Sequence, residues 1–141
     1  MMFTKSFGYA LKGIMYIALN SDAKPKMQVE EIATPLSVPK HFLGKIMKRV
    51  VKHGILNSSR GPHGGFSLNE RTLSTSLLDL ATLTNGLYDF NACVLGLHKC
   101  NVAQPCPLHD KLLSHKRDLY VLFANTTIGD LMGKELPHDI E

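Results

Sequence analysis

The chain has 141 residues, 44% hydrophobic and 20% charged; this is the length of one ordinary domain with material for a real core, and it excludes a disordered chain. The net charge of +4 and isoelectric point of about 9.0 suit a polyanionic partner without proving one. No run of about 18 uncharged apolar residues offers a membrane span, Lys5 and Lys12 break up the apolar start so that no signal peptide is read, and three cysteines, an odd number, fit a reducing cytoplasm better than a disulfide scheme.

Taken in chain order, Thr4 to Leu19 carries Phe7, Ala10, Leu11, Ile14 and Ala18 at helical spacing, which predicts a first helix. Asn20-Ser21-Asp22 ends it, and a loop with Pro25 follows. Val29 to Leu36 predicts a short second helix, with Val29, Ile32, Ala33 and Leu36 inward and Pro35 fraying its last turn. Its first turn holds Glu30 and Glu31, which complement the helix dipole. Ser37-Val38-Pro39 reads as a start signal, a hydroxyl cap followed by a proline that a first turn tolerates. The third helix then runs to about Lys52, burying Phe42, Leu43, Ile46, Met47 and Val50. His41, Lys45, Lys48 and Lys52 share its opposite face, and Gly54 caps its end.

Ile55 to Arg60 reads as extended, as does Phe66-Ser67-Leu68, and Gly61-Pro62-His63-Gly64-Gly65 between them is a turn signal, so a β-hairpin is expected. Ser76 can cap a fourth helix with Leu77, Leu80, Ala81 and Leu83 as its core face and Gly86 at its end. Leu87 to Pro105 has no periodicity. Pro107 can open a fifth helix with a stripe of Leu108, Leu112, Leu119, Leu122 and Phe123, closing near Asn125 to Thr127, before a short, poorly packed tail. The fold class expected is mainly α with a small β-hairpin wing: a winged helix-turn-helix domain over residues 1–86, a cysteine-bearing loop over 87–106, a long C-terminal dimerisation helix over 107–128 and a tail over 129–141.

Three helices followed by a hairpin is the order of a winged helix-turn-helix, and the tight joint at Leu36-Ser37-Val38 suits one. The third helix would enter the major groove of double-stranded DNA, N-terminal end foremost. The candidate DNA-binding residues are therefore Ser37, Pro39, Lys40, His41, Lys45 and Lys48, with Arg60, Gly61, His63 and Gly64 from the wing. Arginine favours a narrow minor groove, and Gly61, Gly64 and Gly65 let a turn approach phosphates closely. The competing reading is a solvated basic face and an ordinary hairpin, with His63 a plain surface residue.

Cys93, Cys100 and Cys106 form a C-x₆-C-x₅-C run punctuated by Gly96, Pro105 and Pro107. Such a loop can fold three thiolates around an inorganic centre, and histidine sometimes replaces one cysteine around iron–sulfur clusters. Cys106 is expected at the N-cap of the fifth helix, where the dipole favours a thiolate. His109, three residues on, is a candidate fourth ligand, with His98 an alternative; His115 reads as packing. Zinc competes, since Cys₃His is a common structural set, although no close C-x₂-C pair is present. An enzyme built on Cys106 and His109 lacks a third orienting group, and no phosphate-binding glycine loop is present; neither catalysis nor a small organic substrate is expected.

The opening Thr4-Lys5-Ser6-Phe7-Gly8-Tyr9-Ala10-Leu11, the wing Ser59-Arg60-Gly61-Pro62-His63-Gly64-Gly65-Phe66 and the three cysteines before the final helix together resemble the IscR/NsrR (Rrf-type) family of bacterial winged-helix regulators, over nearly the whole chain. The resemblance implies a homodimer paired through the C-terminal helix, an operator with two-fold symmetry, and a repressor or activator that senses redox state, nitric oxide or iron–sulfur status through a cluster. It implies ligation by Cys93, Cys100 and Cys106, with His109 matching the histidine of the IscR-like branch; that favours 2Fe–2S over 4Fe–4S. Gly8 stands where some NsrR-like members carry an acidic ligand and cannot ligate through a side chain. The first cysteine interval is one residue longer than the family's usual five, and Pro39, His41 and Gly44 occupy base-reading positions that are polar in IscR, so the operator is not inferred from IscR. The alternative is a cluster-free regulator using thiol or zinc chemistry.

Overall fold

The computed structural model describes residues 4–84, 103 and 107–133. In it α1 (Lys5–Leu19) buries Phe7, Ala10, Ile14 and Ile17, a stripe recurring at steps of three and four, and packs across α3 (Lys40–Lys52) and α2 (Val29–Leu36). Glu31 at the third position of α2 accepts a hydrogen bond from the Gln28 backbone N–H at 3.1 Å, so one donor at the helix start is satisfied by a side chain.

The joint between α2 and α3 differs from the expectation. Ser37 is the C-cap of α2, in the left-handed region at φ 54°, and α3 begins after Pro39 with no side-chain cap. The Val38 N–H bonds back to the Ala33 carbonyl at 3.0 Å, and the buried Val38 side chain plugs the corner. So tight a reversal needs a positive φ, and Ser37 is spent on that turn rather than on capping the next helix.

At the far end of α3 the expected Gly54 stop is observed, at φ 78°. Its N–H bonds to the Val51 carbonyl at 2.9 Å, and the Ile55 N–H to the Val50 carbonyl at 3.2 Å, the paired pattern of a Schellman turn. Within α3, Leu43, Ile46, Met47 and Val50 are buried as expected, but Phe42 is 44% exposed. It lies at the edge of the stripe, where its ring meets Tyr9 of α1 edge-on at 5.6 Å.

The hairpin consists of β1 (Leu56–Ser59) and β2 (Gly65–Leu68), antiparallel from Leu56↔Leu68 to Ser59↔Gly65. A third segment joins it: Met27 and Phe66 exchange two backbone hydrogen bonds of 3.0 and 2.8 Å. Gly65 allows this approach, since its φ is 134° and a Cβ there would come 2.4 Å from the Met27 carbonyl oxygen.

α4 (Leu77–Leu83) starts at Ser76, whose hydroxyl accepts from the Asp79 N–H at 3.0 Å as expected. It ends earlier than Gly86, at Thr84, whose hydroxyl donates to the Leu80 carbonyl at 2.8 Å; Gly86 itself lies outside the described residues. α5 (His109–Ala124) is followed by α6 (Ile128–Leu131). The start of the expected loose tail is in fact packed. Ile128 is buried, Leu131 and Met132 lie against the core, and residues 126–129 bond to residues 73–77, as in Leu77 N–H to Thr126 carbonyl at 2.8 Å. A four-residue helix between polar residues has too few turns to show a period.

The apolar stripe of α5 is only partly covered. Leu112, Leu119 and Phe123 are half-buried, but Leu108, Tyr120, Val121 and Leu122 are exposed, Leu122 by 58%. His115, expected to pack, is exposed too. Among the described residues no helix is long and apolar enough to cross a membrane.

Candidate nucleic-acid interface and cysteine site

Three chain segments meet at one end of the helix-turn-helix. The Gln28 side-chain amide donates to the Gly61 carbonyl at 3.1 Å and the Gly64 carbonyl at 3.0 Å, tying the wing tip to the start of α2. The Lys40 ammonium pairs with the Glu30 carboxylate, tying the start of α3 to the same place. Since both are tied to the first turn of α2, the wing tip and the first turn of α3 lie on one side of the molecule.

The surface so formed carries most of the expected DNA-binding residues. Ser37, Pro39, Lys40, His41, Lys45 and Lys48 are exposed, as are Arg60, Gly61 and His63. Gly64 is the exception. It is buried, and a Cβ there would come 2.3 Å from the Ser59 carbonyl oxygen, so the hairpin's own backbone accounts for this glycine and leaves it no surface to offer. Lys45, Lys48 and Arg60 make no ion pair among the described residues, which leaves them available to a polyanion.

Sequence reading passed over Gln28 and Arg49. Gln28 was detectable as a polar residue immediately before an apolar-periodic helix with a glutamate three residues on, although its reach to the wing, 33 and 36 positions away, was not. Arg49 is exposed in the last turn of α3, four residues after Lys45, and continues the basic surface. At the start of α2 the Lys24 ammonium hydrogen-bonds to the Glu31 carboxylate and, with the Gln28 backbone N–H, holds its pKa below the usual glutamate range.

Cys93, Cys100 and Cys106 lie outside the described residues, as does His98. His109 is described: it is the first residue of α5 and is buried, 9% exposed. The helix starts two residues later than expected, with Leu108 rather than Cys106 at the N-cap, because the first intrahelical bond runs from the Leu112 N–H to the Leu108 carbonyl. The N-cap position expected for Cys106 is therefore taken by Leu108. A buried imidazole at the head of a helix, three residues after a cysteine, fits a thiolate–imidazole donor set; among the described residues alone, no group of three or more metal-ligating side chains is assembled.

This arrangement defines the class, a winged helix-turn-helix DNA-binding protein. The sequence model of the Rrf2 family, described as iron-dependent transcriptional regulators, matches residues 3–134, and the chain belongs to that family of transcription regulators, not to an enzyme family. A protein of Aquifex aeolicus named as an HTH-type transcriptional regulator is 37% identical over 140 residues, covering 98% of this chain and 96% of the relative. The HTH-type transcriptional regulator IscR of Escherichia coli is 25% identical over 99% of this chain and 85% of its own length. Among solved structures, CymR, the global cysteine regulator of Bacillus subtilis, has the same fold with a TM-score of 0.74, at 16% identity over 94% of this chain and 97% of that one.

Proposed function

We propose that this chain is a cytoplasmic homodimer that binds an operator of two-fold symmetry through the first turns of α3 and the wing tip, and that Cys93, Cys100, Cys106 and His109 hold an iron–sulfur cluster, of 2Fe–2S type, that sets its DNA affinity. The observation that carries the DNA reading is the convergence of the wing tip, α2 and α3 through Gln28 and the Lys40–Glu30 pair. Arg60 and His63 then stand on the same side as Lys40, His41 and Lys45, which supports a helix entering the major groove while the wing follows the backbone or the minor groove. Support for the cluster comes from the three closely spaced cysteines, the buried His109 and the family's description. A cluster in that position supplies reactivity toward oxidants and nitric oxide and a change of charge. The protein's part would be to supply those ligands from the cysteine-bearing segment and the head of α5, so that how α5 sits, and with it the pairing of two subunits, could depend on what His109 holds.

Anaerobic purification with visible absorption, iron and acid-labile sulfide measured on one sample tests the cluster. Matching iron and sulfide, absent in Cys100→Ala while that variant keeps its helical circular dichroism, supports it. Zinc, or neither metal after anaerobic reconstitution, replaces it with the cluster-free reading, a regulator acting through zinc or free thiols.

A further inference from the structure

Toward the C-terminal end of α3 lies a second basic feature, of which the DNA reading uses Lys48 and, at its margin, Arg49. A groove of about 820 Å³ runs between the last turns of α3, the turn at residues 69–75 and the exposed side of α4. Lys48, Arg49, Lys52 and Arg71 line it, four basic side chains beside the carboxylate of Asp79 among the described residues, where none of the four is ion-paired. A helix of 13 residues separates its two ends by about 18 Å, so Lys52 and the nearby Arg71 stand away from the wing tip and the start of α3, while Lys48 and Arg49 border the basic surface described above.

Cations in the last turn of a helix are ordinarily explained by the helix dipole, and Arg49 and Lys52 alone would be. Arg71 is not on the helix. The chain brings it there and fixes it: its backbone N–H bonds to the Asn69 side-chain oxygen at 2.8 Å, its carbonyl accepts from the hydroxyls of Thr75 and Ser74 at 2.8 and 3.1 Å, and its guanidinium donates to the His53 carbonyl at 3.3 Å. Gly54 makes room for it, since a Cβ at that position would come 2.8 Å from the guanidinium nitrogen. An arginine held in advance beside three other cations is suited to a phosphate, whose oxygens match the guanidinium fork. The buried Ile55 and the half-buried Leu83 supply apolar wall, the volume is that of a small-molecule site, and the Asp79 carboxylate can accept from a hydroxyl or amine on the ligand.

We infer that this groove binds a small phosphate-bearing molecule of nucleotide size, as an effector site centred on Lys52 and Arg71, away from the first turn of α3 and the wing tip. The inference does not depend on the cluster or on the operator geometry. Isothermal titration of the full-length protein with adenosine diphosphate and with inorganic pyrophosphate, at about 150 mM salt to screen loose surface charge, tests it. The expected result is saturable binding below about 1 mM for adenosine diphosphate and weaker binding of pyrophosphate, which lacks the body that the apolar wall would take. Arg71→Gln and, separately, Lys52→Gln should each weaken the diphosphate by about tenfold or more, while Lys26→Gln, an exposed cation outside the groove, should not. Lys52 makes no hydrogen bond that the fold needs, so its variant stays informative if Arg71→Gln disturbs the turn. Absence of saturable binding by either probe overturns the inference. So does unchanged binding in both groove variants, equal affinity for the two probes, or an effect of the variants on duplex DNA and not on the probes.

Discussion

Gln28→Ala is the sharpest perturbation of the DNA surface, because this side chain touches no phosphate in the arrangement proposed and yet holds the wing tip. The variant deletes two amide–carbonyl hydrogen bonds, of 3.1 and 3.0 Å. A net of about 0.5–1.5 kcal/mol each applies at the lower end for the exposed Gly61 carbonyl, which water can satisfy, and at the upper end for the carbonyl of the buried Gly64. The total is about 1–2 kcal/mol. The bonds between Met27 and Phe66 still hold β2 one residue from the pair that closes the turn, so the cost falls on the order of the turn itself and must be met again when DNA is bound. A cost of that size weakens binding by about 5- to 30-fold. Fluorescence anisotropy with a duplex at several salt concentrations measures it, alongside urea unfolding. Affinity should fall while the slope of log K against log salt stays that of the wild type, since every cation that displaces counterions is still in place. Wild-type affinity in a variant whose unfolding midpoint has dropped would refute the reasoning, for the wing would then reach DNA without its tether.

Gly65→Ala should destabilise the fold by about 3–5 kcal/mol, from two strained or broken Met27–Phe66 hydrogen bonds and an unfavourable positive φ, read as a lower urea midpoint. Combining Lys45→Gln with Arg60→Gln should make the salt slope shallower by about 0.9 for each phosphate no longer neutralised; an unchanged slope means that these side chains are merely solvated. Glu31 has a folded pKa below its unfolded one, so the stability it contributes is present above the usual glutamate range and is lost as the pH falls through the lower, folded value; Glu31→Gln should flatten that part of the pH–stability profile in thermal unfolding scans. Leu122→Arg should convert a dimer to a monomer in sedimentation, since an isologous interface would lose the burial of two leucines, about 3–6 kcal/mol in all, while the circular dichroism stays that of the wild type because Leu122 is 58% exposed within one chain.

What was legible in the sequence followed period and punctuation. The 3.6-residue stripe of α1, the Gly54 stop, the Ser76 cap and the glycine-rich turn between two short alternating segments each report a local rule, and each is observed. What was missed depends on partners far along the chain. Nothing near Met27 announces a bridge to Phe66, and nothing near Gln28 announces a bond to Gly64. Ser37 carried two compatible local meanings, an N-cap and a left-handed C-cap, and only the closeness of the two helices chose between them. Phe42 sat on the margin of its stripe, where a ring of Tyr9 rather than the core received it. For Gly64, reading the glycine as room for a phosphate assigned to a ligand the space that the Ser59 and Arg60 carbonyls already fill.

The placement of His109 bears on how the two halves of the molecule communicate. It heads α5, and α5 packs against α4, which in turn meets α1 and α3. If His109 is the ligand proposed above, a change there would act at one end of a helix whose other end leads into residues 126–129, hydrogen-bonded to the segment that starts α4. Within a single chain no step of this path needs α3 to move relative to the wing, and the Gln28 hydrogen bonds, with the exposed Lys40–Glu30 pair, favour those parts staying together. The DNA-reading unit is better suited to move as one body than to deform. On the proposed reading, sensing at α5 would change DNA affinity chiefly through the spacing of two such bodies, which requires the exposed apolar side of α5 to be covered by a second copy, and the size of the response would be bounded by the difference in free energy between two arrangements of that pair.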